Sequence, residues 1–289
     1  MKKIIIAGCG YIGTRVARTW KENGAEVTCL VRSSERQSTL LSEGFTTLSC
    51  RFDDLADIPT LDVADCIVYY FVPPPGGGIA DFRARNFCSA LSGSASPARI
   101  IYISATSVYS ETGGGVVTET SPTAPASAMG KRRLDAEHAF REYGATIGLP
   151  VIILRVSGIY GPGRLPLMQI QQGQQLLREE EAGPSNRIHA DDLARVCLAA
   201  AEKGQAGDIF NVSDGHPSSM TVYFNACADA LGLPRQPQVT MGAARQVMSP
   251  LMFSYVSESR VVDNSKMIEK LGIALRYPSL AEGIGASLG

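Results

Sequence analysis

Apolar and polar positions along this chain alternate between two periods. The opening run KKIIIAG is β-branched and closes on glycine, which predicts a strand. YIGTRVARTWKENG follows, with Ile12, Val16, Ala17 and Trp20 at helical spacing until Gly24 stops the helix. The alternation continues. EVTCLV reads as strand, 34–43 as helix, FTTLSC and DCIVYYFV as strands, 80–92 as helix, RIIYIS as strand, 128–143 as helix, PVIILRV as a sixth strand and DIFNVS as a seventh. Strands separated by helices predict an α/β, doubly wound parallel sheet with right-handed crossovers. The segments 164–188 and 214–289 alternate less and are rich in Gln, Pro and Gly, so they are assigned to a smaller C-terminal substrate lobe. The main domain then spans 1–163 and is completed by about 189–213. No internal repeat is evident.

Composition narrows the partners. In 289 residues, 45% are apolar and 19% charged, with a net charge of -1. That is neither a disorder signature nor the basic excess of a nucleic-acid binder, so a small-molecule substrate is expected. The seven cysteines (9, 29, 50, 66, 88, 197, 227) form no CxxC or Cys/His cluster and read as reduced thiols packed as small hydrophobes. MKKIIIAGC imitates a short export signal ending at Cys9, but its apolar run from Ile4 to Ala7 is shorter than such a signal needs. No apolar run approaches the ~18 residues of a spanning helix. The expectation is a cytoplasmic protein with no membrane partner. His138, His189 and His216 lack metal-ligand spacing, so no metal is expected.

AGCGYIG places Gly8, Gly10 and Gly13 in a GxGxxG pattern between a strand and a helix, the context in which that pattern binds a dinucleotide. Gly8 would permit the tight turn, Gly10 a close approach of a pyrophosphate, and Gly13 the packing of helix on strand. The plain alternative is a glycine turn. The next strand ends in LVRSSER, where an acidic residue would bind a ribose 2′-hydroxyl. Arg32 stands there instead, beside Ser33, Ser34 and Arg36, donors suited to a 2′-phosphate. NADP is therefore expected, with NAD as the alternative.

Taken with YISATSVYS, LRVSGIYGPGR, NRIHADDLARV, IFNVSDG, the helix containing RNFCSAL with Asn86, and the closing DNSKMIEKLGIALRYPSLAEG, the chain resembles the extended branch of the short-chain dehydrogenase/reductase superfamily, which includes the NAD-dependent epimerases and dehydratases. The likeness runs nearly end to end. It implies a Rossmann-type domain that holds the cofactor and a C-terminal lobe that closes over a substrate, often a nucleotide sugar. It also implies cofactor contacts from Tyr11, Ile12, Phe71, Val72, Pro73, Ser104, Arg133 and Val156 to Ile159. A homodimer through helices 80–92 and 128–143 is implied as well, with two solvated helices as the alternative.

The chain departs from the family at the catalytic positions. Members carry a Ser or Thr four residues before the tyrosine of the VY pair, then a Tyr and a Lys four apart at the start of the next helix. Here those positions hold Ala105, Met129 and Arg133. A thioether has no proton to exchange, and a permanently cationic Arg cannot tune a neighbouring acid as Lys can. Loss of a positioned general acid costs on the order of 10² to 10⁴ in rate. Thr106, Ser107 and Tyr109 are the substitute candidates, each with a structural reading beside it: capping a turn for the hydroxyls, packing for the phenol. Tyr160 is expected to fix a loop and His189 to cap a helix. The leading expectation is an atypical NAD(P)-dependent oxidoreductase or epimerase acting on a small polar or nucleotide-sugar-like substrate. The alternatives are a non-catalytic dinucleotide sensor and an assembly protein with a relic site, the last disfavoured by the intact cofactor motif.

Overall fold

The structure is a computed structural model that describes residues 1–92 and 95–288. In chain order the elements begin with β1 (Lys3–Ala7), α1 (Tyr11–Glu22), β2 (Glu26–Val31), α2 (Ser34–Ser42), β3 (Thr46–Ser49), β4 (Ile67–Tyr70), α3 (Phe82–Leu91) and β5 (Arg99–Ala105). They continue with β6 (Val116–Val117), α4 (Ala128–Ile147), β7 (Val151–Val156), β8 (Gly158–Tyr160), α5 (Leu167–Gln171), β9 (Leu176–Leu177), β10 (Arg187–His189), α6 (Ala190–Lys203) and β11 (Ile209–Val212). The last are α7 (Met220–Leu231), β12 (Gln238–Val239), α8 (Met241–Val247), α9 (Pro250–Ser257), β13 (Val261–Val262), α10 (Ser265–Leu271) and α11 (Leu280–Ser287).

The central sheet has seven parallel strands in the order β11-β7-β5-β4-β1-β2-β3, the same seven runs that the hydrophobic pattern marks. Alternate residues leave opposite faces of a strand, and both faces here are covered. Ile4, Ile6, Cys29, Tyr69, Ile101, Ile103 and Leu154 pack under α1, α6 and α10. Ile5, Ala7, Leu30, Tyr70, Ile100, Tyr102 and Ile153 pack under α3 and α4. Full burial of one such aliphatic side chain contributes ~1.5–3 kcal/mol, so the doubly covered sheet is the main source of stability. On the α1 side of this core, Trp20 Nε1 donates to Tyr69 Oη at 2.9 Å, and that hydroxyl donates to the Cys197 carbonyl at 3.2 Å.

Helix limits follow local chemistry. α4 starts at the Ser127 cap, whose hydroxyl accepts from the Gly130 N–H, and runs past the expected 143 to Ile147, where Gly148 turns it off at φ +69°. A smaller core joins Ile170, Leu176, Tyr223, Phe224, Cys227, Ala228 and Ile284 to Tyr160. Three short parallel pairs, β8 with β10, β9 with β12 and β6 with β13, carry the chain between the main sheet and this region. From the segment 214–289, α10 packs Met267 and Leu271 into the main core rather than the smaller one.

Candidate functional site

The strand order reverses between β1 and β4, and in open α/β sheets ligands bind in the crevice at such a switch point. A cleft of about 540 Å³ opens there, at the C-terminal ends of the strands. Its floor is the fingerprint loop. Gly8 sits at φ +86°, and a Cβ on it would lie 2.9 Å from backbone atoms of Phe71 and Val72; one on Gly13 would meet the Gly8 carbonyl oxygen at 2.7 Å. Around Gly10 no atom lies within 4 Å of such a Cβ, so that side of the loop is open. No side chain caps α1 and no acid stands in its first turn. Its terminal N–H groups and positive dipole end thus remain available to an anion. These are the features a dinucleotide pyrophosphate requires.

Of the residues expected around a cofactor, Gly8, Gly10, Tyr11, Ile12, Gly13, Arg32, Ser33, Arg36, Phe71, Val72, Pro73, Arg133 and Ile159 line this cleft. Ser104 and Val156 do not. Ser104 is buried and donates to Glu137 Oε1 at 2.6 Å, and Val156 belongs to the core. Ser33 caps α2, accepting from the Arg36 N–H at 3.3 Å. The Arg36 guanidinium turns back onto the fingerprint loop, donating to the Cys9 carbonyl at 3.2 Å and to the Thr14 hydroxyl. Arg36 therefore braces the loop.

The structure adds Arg51, Asp53, Arg83 and Arg164 to the lining. Arg164 stacks on the Tyr11 ring at 4.4 Å, and Tyr11 Oη donates to the Pro162 carbonyl at 2.9 Å. Two signals in the sequence point to these residues: a basic residue directly after the third strand, and the arginine closing GPGR. Among the described residues the cleft carries arginines 32, 36, 51, 83, 133 and 164 against one acid, Asp53, which is paired with Arg83 at 2.7 Å. Its field selects anions.

At the catalytic positions, Ala105 ends β5 and Met129 lies in the first turn of α4 with 43% of its surface exposed. Arg133, one turn on, lines the cleft and donates to the Ile103 carbonyl at 2.8 Å. Close packing of α4 on the β5 exit is kept, because a Cβ at Gly130 would collide with the Ser107 carbonyl oxygen. None of the substitute candidates lines the cleft. Thr106 accepts from Arg260 through its carbonyl at 3.1 Å, and the Ser107 hydroxyl is buried without a partner among the described residues. Tyr109 is buried, donates to Asn211 Oδ1 at 2.6 Å, and burial pushes its phenol up. Among the described residues the only phenol on the cleft is Tyr11, at the fingerprint end. His189 caps α6, its Nδ1 accepting from the Asp191 N–H at 3.2 Å. The Tyr160 hydroxyl is buried beside Gly283. Among the described residues no group of three or more His, Cys, Asp or Glu is placed to hold a metal ion.

The model of the NAD dependent epimerase/dehydratase family matches residues 84–213. Protein YeeZ of Escherichia coli (strain K12) is 26% identical over 288 residues, covering 96% of this chain and 97% of that protein. UDP-glucose 4-epimerase of Corynebacterium glutamicum is 24% identical over 286 residues, covering 83% of each chain. Over residues 84–213 the chain is thus similar to the NAD dependent epimerase/dehydratase family, and over nearly its whole length to Protein YeeZ. Among solved structures, a functionally unknown conserved protein from Silicibacter pomeroyi superposes with a TM-score of 0.81 at 25% identity, over 100% of this chain and 98% of that one. UDP-glucuronic acid 4-epimerase from Bacillus cereus in complex with NAD superposes with a TM-score of 0.76 at 21% identity, over 99% and 97%, a likeness of fold. The chain shares the fold of these structures and carries the glycine fingerprint, and it has Ala105, Met129 and Arg133 where the resemblance places a Ser or Thr, a Tyr and a Lys. No helix among the described residues is long and apolar enough to cross a membrane.

Proposed function

We propose that the protein binds NADP(H) in the cleft above β1 and acts on a nucleotide-sugar-like or other small polar substrate without the family's Ser-Tyr-Lys relay. The observation that carries this reading is the cleft itself, with an uncapped α1 N-terminus, an open face at Gly10 and arginines as its uncompensated charges. Gly10, Tyr11, Ile12 and Gly13 would hold the pyrophosphate, Arg32 and Ser33 the 2′-phosphate, and Arg133 the nicotinamide ribose. The cofactor, when bound, supplies hydride transfer. The bound NAD in the Bacillus cereus epimerase structure and the UDP-sugar named as substrate of the Corynebacterium glutamicum enzyme support the same class of ligands.

A second reading, a non-catalytic NADP(H) sensor, is favoured by the aprotic relay positions and by the absence of Thr106, Ser107 and Tyr109 from the described cleft lining. The test is one experiment. NADPH and NADH are titrated by thermal shift, and NADPH absorbance is followed over a panel of nucleotide sugars, aldehydes and ketones. Tight NADPH binding with turnover supports the enzyme, and tight binding with silence across the panel supports the sensor. No stabilisation by either nucleotide rejects both. We also propose a cytoplasmic homodimer through α3 and α4. Light scattering at micromolar concentration that shows only monomer rejects the dimer.

A further inference from the structure

The end of β3 offers a second cationic group beside Arg32. β2 and β3 are paired in parallel, and the Cys50 N–H donates to the Val31 carbonyl at 2.9 Å. Arg32 directly follows β2 and Arg51 lies two residues past the end of β3, and both line the same cleft. Both are exposed, and neither guanidinium has a hydrogen-bond or ion-pair partner among the described residues.

The segment after Arg51 is fixed. Phe52 is buried against Tyr70 and Phe87, with ring centroids 5.9 and 5.7 Å away. Asn86 Nδ2 donates to the Phe52 carbonyl at 3.1 Å and to the Asp53 carbonyl at 3.3 Å. Asp53, the one acid on the cleft among the described residues, is occupied by Arg83, which also donates to the Pro73 carbonyl at 3.1 Å. Arg51 is thus held on a rigid base beside an acid that is already neutralised, and ordering it on a ligand costs only side-chain entropy.

We propose that Arg51 and Arg32 form the two jaws of a clamp for a phosphomonoester on the adenosine ribose, and that Arg51 is a determinant of NADP(H) preference. This rests on the dinucleotide reading of the cleft. A phosphomonoester carries nearly two negative charges and three acceptor oxygens, more than one guanidinium fork satisfies. Arg36 is committed to the fingerprint loop, which leaves Arg51 as the second fork. The neutral 2′-hydroxyl of NAD(H) gains nothing comparable from it.

The test titrates NADPH, NADH, 2′,5′-ADP and 3′,5′-ADP into the natural protein and into Arg51→Ala, Arg51→Lys and Arg32→Ala. Arg51→Ala is expected to weaken NADPH and 2′,5′-ADP about tenfold or more while NADH stays within about twofold, as loss of one charge-assisted hydrogen-bond partner implies. Arg51→Lys keeps the charge without the fork and falls between the two. The ligand-free melting temperature stays unchanged, since Arg51 is exposed and makes no hydrogen bond or ion pair among the described residues. Equal weakening of NADPH and NADH, an unchanged NADPH affinity, or 3′,5′-ADP binding as tightly as 2′,5′-ADP overturns the clamp. A preference for NADPH lost only in Arg32→Ala removes Arg51 and keeps the dinucleotide reading. A natural protein that binds none of the four ligands rejects that reading itself.

Discussion

Arg133 donates to the main-chain carbonyl of Ile103 at 2.8 Å, so the residue in the family's lysine position is anchored to β5 at the edge of the cleft. One turn earlier on the same helix, Met129 is 43% exposed and offers no proton. Where the resemblance places a lysine and a tyrosine, the chain thus carries a cation and a thioether. A relay of the Tyr-Lys kind acts by lowering a tyrosine's pKa from about 10 toward neutrality, and Met129 has no proton for Arg133 to tune.

Restoring the relay is therefore informative. Gly130 already packs α4 tightly on the turn after β5, so Ala105→Ser, Met129→Tyr and Arg133→Lys place the family's groups on an unaltered backbone. If the site has only lost its acid, the triple variant should oxidise NADPH with model carbonyls on the order of 10² faster than the natural protein. A natural protein that already turns over, with no gain in the variant, shows that another residue supplies the proton.

The fingerprint glycines separate folding from binding. Gly13→Ala pushes a methyl to 2.7 Å from the Gly8 carbonyl oxygen, a backbone atom that cannot yield, and should cost ~1–3 kcal/mol in a urea melt. Gly10→Ala meets nothing within 4 Å and should leave stability within about 1 kcal/mol, with its methyl projecting into the cleft. NADPH affinity is then lost about tenfold or more in a protein that is fully folded. A Gly10→Ala variant that binds normally places the pyrophosphate elsewhere.

The sheet was legible in the sequence because a strand covered on both faces has no polar alternation to blur it: IIIA, IVYY and VIILRV are near-continuous apolar runs. The fingerprint was legible because two of its glycines answer local demands, Gly8 a positive φ with a close approach to Phe71 and Val72 and Gly13 a close approach to the Gly8 carbonyl, while Gly10 leaves an open face. Arg36, Ser104 and Arg51 were not. Spacing cannot tell a guanidinium facing a ligand from one folded onto Cys9 and Thr14, nor show that the Ser104 hydroxyl belongs to Glu137. Those choices depend on residues far away in the chain, and Arg51 enters the cleft only through the pairing of β3 with β2.

Glu137 and Arg155 form a buried ion pair at 2.8 Å, with side chains 1% and 4% exposed, joining α4 to β7. Glu137 also accepts from Ser104, so one carboxylate ties the helix that bears Arg133 to two strands. Glu137→Gln leaves Arg155 buried without its countercharge and should destabilise the protein by ~3–5 kcal/mol in denaturant unfolding. Replacing both, as Glu137→Leu with Arg155→Met, should recover much of that loss. A Glu137→Gln variant as stable as the natural protein would remove the pair from the account of stability.

Asp214, in the loop after β11, is 3% exposed, and one of its carboxylate oxygens has no partner among the described residues. Its other oxygen accepts from the His216 N–H at 3.0 Å. Burial raises its pKa from 3.8 to about 6, against the opposing effects of the His216 N–H bond, the His216 ring and Arg187. The folded state therefore holds this proton more tightly than the unfolded chain does. The stability that protonation contributes is full below pH ~3.8, declines as pH rises toward about 6, and is absent above it. At ~1.4 kcal/mol per pKa unit, the ionised carboxylate costs on the order of 2–3 kcal/mol at neutral pH. Asp214→Asn keeps an acceptor for the His216 N–H and removes the charge. It should raise unfolding free energy by ~1–3 kcal/mol at pH 8, with the gain shrinking as pH falls through 6 toward 4. Urea melts of both proteins across that range read the difference directly. A gain that is constant with pH, or that grows as pH falls, would mean that Asp214 is not the group whose ionisation burial opposes.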